Sequence, residues 1–287
     1  MAAMARPDAY VEFQRPWYVT VQRWILAIIA VGVLAYGWRL TDLDVIAALS
    51  DLGQMGRVLN LLFHPNWDLL SEPPCLDLAG VATPICGVSV YMLQTIFLAI
   101  IATVLSVVLA VPLSFLGARN LTATNPFTLV VYAAMRVLFT IIRSLDLLIV
   151  IILFVVTMGI GAAAGVFALA FHNIGVLGKL YAEAIENIDP GPIEAITATG
   201  ANRVQVVWFA VLPQIVNPFI ALTIYRLDAN VRLAPIMGLV GGGGIGFLLI
   251  QYLNLLQYEN AAPILLEIIL VVATMDLLSG QVRKRLA

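Results

Sequence analysis

Residues 194–213 read EAITATGANRVQVVWFAVLP, a polar stretch set between long apolar runs, and its reading decides the fold. Asp189-Pro190-Gly191-Pro192 stands just before it. That run ends one helix and opens another, because proline suits the first helical turn and not the interior. Glu194 is expected in the first turn, where its charge complements the helix dipole. Gly200 ends the short helix, since glycine accepts the left-handed conformation of a helix stop. Asn202 caps the next helix, expected over Arg203 to Leu212, and Pro213 closes it. The outcome is two short helices bent at Gly200. Such a piece can seat in a groove on a partner and carry rigid-body motion.

The rest of the chain explains why a polar hinge matters. Of 287 residues, 62% are hydrophobic and 11% charged, with a mean hydropathy of +0.99. A soluble domain carries roughly 25% charged residues. The surplus apolar side chains need lipid as their solvent. A formal net charge of −2 argues against a nucleic-acid footprint. Histidine occurs only at positions 64 and 172, and no C-x-x-C or His/Cys ligand spacing exists, so no metal site is expected. No paired catalytic carboxylates or nucleophile–base arrangement points to an enzyme.

A spanning helix needs about 20 mostly apolar residues. Candidate runs are 24–40, 88–116, 127–157, 160–185, 215–237 and 262–280. The first, flanked by Trp24, Trp38 and Arg39, reads as an uncleaved anchor. Gly159, Gly161 and Ala162 to Ala164 divide the run from 127 to 185, with a tight turn at residues 158–161. Six crossings result. Arg6, Arg15, Arg23, Arg119, Lys179, Arg203, Arg283, Lys284 and Arg285 fall on one side of them. The other side holds Arg39 and Arg57 against Asp42, Asp44, Asp51, Asp68, Glu72 and Asp77. This bias predicts a multi-pass inner-membrane protein with both termini and the 186–214 loop in the cytoplasm.

Residues 41–87 are then external. Asp44 to Phe63 reads as an amphipathic surface helix broken by Gly53 and Gly56, either a docking surface for a delivery protein or a lid on the helix ends. Cys75 and Cys86 lie eleven apart in the same segment. One disulfide or two free thiols both satisfy the sequence.

Charges at membrane depth cost about 2.5–3.5 kcal/mol on insertion scales, so each is a functional candidate. Arg136, Arg143 and Asp146 are expected in the third helix, and Arg226, Asp228 and Arg232 in the fifth. Arg143 with Asp146 and Asp228 with Arg232 have pairing spacings. Arg226 has no carboxylate at such spacing, only Asn230 four residues on. A lone guanidinium suits phosphate-like oxygens because its fork donates two parallel hydrogen bonds. Arg226, Asn230, Arg232, Asp228 and Arg143 are therefore the residues expected along a substrate path. His172 and Asn173 read as helix-packing groups.

Gly241, Gly243 and Gly246 formally satisfy G-x-G-x-x-G. A dinucleotide site needs a preceding strand, and here a membrane helix precedes. No G-x-x-x-x-G-K-[ST] occurs, so ATP is not expected on this chain through a P-loop. The glycines instead lower the cost of unusual dihedrals and let helices approach closely.

Glu194 and Ala195, then Gly200 six residues after Glu194, then Leu212-Pro213 match the coupling loop of ABC importer permeases, with Ile196 where the general motif has Ala. The runs IRSLDLLIVIILFVV, HNIGVLGKLYAEAIE, LPQIVNPFIALTIYRLDANVRLA and VGGGGIG resemble phosphonate-type ABC permeases, with methionine importers more distant. The likeness covers roughly residues 88–285. It implies an all-α polytopic protein with a type I ABC importer permease core over 88–287, preceded by the tail, first helix and external segment of 1–87. It implies a second copy of the chain, two ATPase subunits that carry ATP and Mg, and an external substrate-binding protein. Glu194, Ala195, Gly200, Ala201, Leu212 and Pro213 would then couple to the ATPase. Gly238, Gly241, Gly242, Gly243, Gly244 and Gly246 would form a re-entrant or hinge element at the gate. The implied cargo is a phosphonate or related phosphorus oxyanion. Methionine, phosphite, phosphate or another oxyanion, and a non-ABC channel, are the other readings.

Overall fold

The structure is a computed structural model and describes residues 17–41, 52–70, 75–76, 85–122 and 125–286. It divides into two units, Met1–Arg57 and Val58–Ala287. In the first, α1 (Trp17–Leu40) is one uninterrupted apolar helix with Arg39 in its last turn. At 1.5 Å per residue it is about 36 Å long, enough to cross a ~30 Å hydrocarbon core. The α2 helix (Leu52–Leu62) runs through Gly53 and Gly56 without the expected break. An isolated glycine costs a helix only about 1 kcal/mol, which packing and neighbours offset. The earlier part of the predicted surface helix, residues 44–51, lies outside the described residues.

Within the second unit a 3₁₀ turn (Trp67–Leu70) leads to β1 (Cys75–Leu76) and β2 (Ile85–Cys86), an antiparallel pair. Their register sets Cys75 opposite Cys86. The backbone amide of Asn66 donates to the Glu259 carbonyl at 3.1 Å and its side chain to Asn260 at 3.0 Å. Those bonds and the buried Leu69 fasten this segment to the ends of the spanning helices.

The helices that follow are α3 (Val88–Leu116), a single turn α4 (Arg119–Thr122), α5 (Pro126–Ser144), α6 (Leu147–Met158) and α7 (Ala162–Glu186). Then come α8 (Pro190–Ala198), α9 (Arg203–Val206), a π turn (Val207–Val211), α10 (Leu212–Leu239), α11 (Ile245–Asn254) and α12 (Tyr258–Leu286). The core is built from Leu98, Ala99 and Ala102 of α3, Ala168 and Leu169 of α7, and Val231, Ala234 and Met237 of α10. Alanine dominates because lipid supplies no hydrophobic drive between helices. Close backbone approach and van der Waals packing must hold them instead. Long aliphatic side chains face outward on every long helix, where lipid solvates them.

Among the described residues six helices are long and apolar enough to span a bilayer, and α6 and α11 are shorter apolar helices. The crossing expected over 127–157 is broken. Leu145 and Asp146 adopt extended backbone, and the Asp146 carboxylate accepts the Leu148 amide at 2.8 Å, capping α6. A short carboxylate before an apolar run competes for the backbone and starts a new helix. Asp146 is therefore a cap, and Arg143 does not pair with it. No ion pair involving Arg143 occurs among the described residues.

Candidate functional site

The stretch 189–214 is built from caps. Asp189 accepts the Gly191 amide at 3.0 Å and starts α8, while its own amide donates to Gln214 at 3.0 Å. Because α8 begins at Pro190, Glu194 falls in the second turn, one step past the position where a helix dipole favours a carboxylate. Glu194 and Ala195 are exposed. Thr199 closes α8, and Gly200 follows at φ +82° with nothing within 4 Å of where a Cβ would stand. Glycine is there for its backbone alone. Asn202 and Gln205 then cap each other, at 2.9 Å and 2.8 Å.

No stop follows at Pro213. The helix begun at Arg203 runs on to Leu239. Proline has no amide to donate, and the π turn at Val207–Val211 takes up the missing bond just before Pro213 enters the first turn of α10. The hinge at Gly200 is therefore joined to α10 by one helical rod. Leu212 and Ile193 pack on Ile185, Val211 and Ile215. Beside the hinge, Ile196, Gly200, Ala201, Gln205 and Phe209 border a cleft of about 380 Å³. Val204, Trp208 and Phe209 are 76%, 63% and 63% exposed. Sequence reasoning missed these three, although exposed aromatics in a polar loop were visible as WF between valines.

The intramembrane charges separate into two kinds. Arg136 bonds the Gly117 carbonyl at 2.9 Å and pairs with Glu186 at 2.5 Å, and Glu186 also accepts the Arg119 amide at 2.7 Å. Arg232 pairs with Asp228 at 3.3 Å and with Asp276. Asn230 is fully buried and donates to Thr103 at 2.7 Å. These groups fasten helices to one another. Asp228, Asn230 and Arg232 are not brought to the cavity that holds Arg226.

That cavity, about 500 Å³, opens at the α5–α6 break. Arg143 and Asp146 border it from the break, His172 from α7, and Arg226 and Met237 from α10. His172 lies ten residues into α7, about 15 Å along it, close to half the thickness of a bilayer core. Arg226 donates through Nε to Oδ1 of Asn173. His172 and Asn173, read from sequence as packing groups, thus stand at the cavity and on its arginine. The signal was there in two polar residues facing α10 from the middle of a span.

The glycine turn between α10 and α11 is buried throughout residues 241–246. Gly241, Gly243 and Gly244 have positive φ, and the Gly161 amide donates to Gly241 at 2.9 Å. A Cβ on Gly246 would stand 1.7 Å from the Pro235 carbonyl oxygen, so only glycine fits. Gly238 is confined as well, with a Cβ there standing 2.6 Å from the Gly246 Cα.

In the second unit, spanning helices α5, α7 and α10 and the half-length α6 border a polar mid-depth cavity, and α10 is continuous with the capped hinge at Gly200. This is the architecture of a transport subunit. Residues 110–287 match the family described as binding-protein-dependent transport system inner membrane component, and the chain belongs to it. It is 42% identical to the phosphite transport system permease protein of Stutzerimonas stutzeri, over 81% of this chain and 88% of that one. It is 42% identical to the phosphate-import permease protein of Mycolicibacterium smegmatis, over 67% of this chain but 35% of that longer protein. Its fold is that of a solved methionine ABC transporter in an inward-facing conformation, with a TM-score of 0.60 at 19% identity, over 70% of this chain and 96% of that one. The core is thus of the type I ABC importer permease kind, and the chain is a multi-pass membrane protein.

Proposed function

We propose that this chain is the permease subunit of an ATP-driven importer for phosphonate or a related phosphorus oxyanion. Two copies would work with two ATPase subunits, which bind ATP and Mg, and with an external substrate-binding protein. The observation that carries the reading is the rod from Arg203 to Leu239, which joins the Gly200 hinge to the helix bearing Arg226. A partner gripping α8 and the exposed Trp208 and Phe209 would move α10 directly, and with it one wall of the mid-depth cavity. The bias of Lys and Arg supports a cytoplasmic position for that hinge and for both termini. The glycine turn would lie at the outer gate, and Cys75 and Cys86 would be joined on the oxidising side.

The phosphorus oxyanion rests on Arg226 and on the names of the relatives at 42% identity. The test is co-purification. The tagged chain is expected to bring down an ATPase and, in the presence of its binding protein, a complex whose bound ligand is identified by mass spectrometry. Recovery of methionine or another solute in place of a phosphorus oxyanion contradicts the cargo. Recovery of conductance without an ATPase contradicts the importer.

A further inference from the structure

Arg226 Nη2 and Asn173 Nδ2, on two residues bonded to each other, are buried with no hydrogen-bond partner among the described residues, as is Nδ1 of His172, whose ring also bonds the Leu145 backbone at the α5–α6 break. Buried polar groups are satisfied in the great majority of cases, so a cluster of orphans calls for a polar guest. Two further features say what kind. Arg226 and Arg143 border the same cavity, and no carboxylate pairs with either among the described residues. The acid bordering the same cavity, Asp146, already accepts the Leu148 amide as a helix cap. The surplus is positive, and burying an unpaired guanidinium is costly unless an anion meets it.

The geometry also sets which end of Arg226 is offered. Asn173 is fully buried and takes Nε through its amide oxygen, so the Nη nitrogens are left for another partner. Arg143 and Asp146 are exposed in the single chain at about mid-depth, where hydrocarbon would reject them. The mouth of the cavity therefore faces water or protein, and irregular backbone at this depth is tolerated only in such places.

We propose that this cavity is a transient oxyanion site, in which Arg226 and Arg143 share the oxygens of one phosphorus oxyanion and Asn173 is the positioning residue that aims Arg226. It rests on the function proposed above and goes further by naming where the cargo pauses. A volume of about 500 Å³ holds a tetrahedral anion with part of its hydration shell. The capping Asp146 keeps the net attraction modest, which suits a site that must also release.

The test uses the full complex in proteoliposomes, with radiolabelled phosphite, phosphate and methylphosphonate as probes. Uptake and binding-protein-stimulated ATP hydrolysis are measured together. Arg226→Ala and Arg143→Ala are each expected to lower uptake at least ten-fold while stimulated hydrolysis stays within two-fold. Asn173→Ala is expected to lower uptake several-fold in the wild-type background and to add nothing in the Arg226→Ala background, a non-additivity that a merely structural asparagine would not give. Where an alanine variant fails to assemble, Arg226→Lys keeps the charge, loses the fork and is expected to lose about ten-fold. Wild-type uptake by the arginine variants overturns the site while leaving the function standing. A wild-type complex that takes up none of the three anions overturns the function and the site with it.

Discussion

Thr95 Oγ1 on α3 accepts the backbone amide of Ile245 at 2.8 Å, 150 residues along the chain. The same hydroxyl donates to the Tyr91 carbonyl at 2.7 Å. Ile245 opens α11, and the preceding cap residue, Gly244, has no side chain to offer. Thr95 thus caps a helix from another helix and ties the glycine turn to the core. Thr95→Val keeps the shape and removes the acceptor. It is expected to cost about 1–3 kcal/mol through the unpaired buried amide, read as a lower Tm of the detergent-purified complex, with Thr95→Ser close to wild type.

Gly246→Ala is expected to be far more damaging than its size implies. The new Cβ meets a backbone carbonyl oxygen at 1.7 Å, so the α10–α11 turn must shift. Gly280→Ala, with nothing within 4 Å, is the control. Loss of folded complex for the first and a wild-type yield for the second is the expected pattern, measured by fluorescence size-exclusion chromatography.

Arg136 and Glu186 form the tightest described clamp between α5 and the end of α7. Removing one partner leaves the other charged in a confined place, so Glu186→Gln and Arg136→Met are each expected to destabilise by about 1–3 kcal/mol. The double variant should lose less than the sum. Thermal denaturation of the four proteins measures the coupling.

The β1–β2 register sets Cys75 opposite Cys86. Protein prepared from membranes without reductant is expected to resist alkylation at both thiols until reduced. Mass spectrometry of the peptides checks this, and two freely alkylated cysteines contradict the pairing.

The spans were legible because composition alone forces helices of about 20 residues into a bilayer, and the runs at 88–116 and 160–185 lie within a few residues of α3 and α7. The helix start at Asp189-Pro190 and the cap at Asn202 were legible from their immediate neighbours, whereas the capping role of Asp189 itself came from the structure. What escaped was set by competition between local signals. Asp146 looked like a partner for Arg143 but serves the backbone of α6. Pro213 looked like a stop, yet the π turn before it absorbs the missing amide. The allocation of Arg143 and Arg226 to one cavity, and of Asp228, Asn230 and Arg232 elsewhere, depends on contacts up to 127 residues apart. Helical periodicity carries no trace of these.

The central claim is that force enters at the Gly200 hinge and leaves as movement of α10. The most direct measurement is the ratio of anion taken up to ATP hydrolysed, in proteoliposomes carrying wild type, Gly200→Pro or Glu194→Lys. Proline cannot adopt φ +82°, so the bend must change without touching the cavity. The expected result is ATP-dependent uptake by wild type and at least a ten-fold fall in the ratio for both variants, with insertion intact. An unchanged ratio in both would contradict the account.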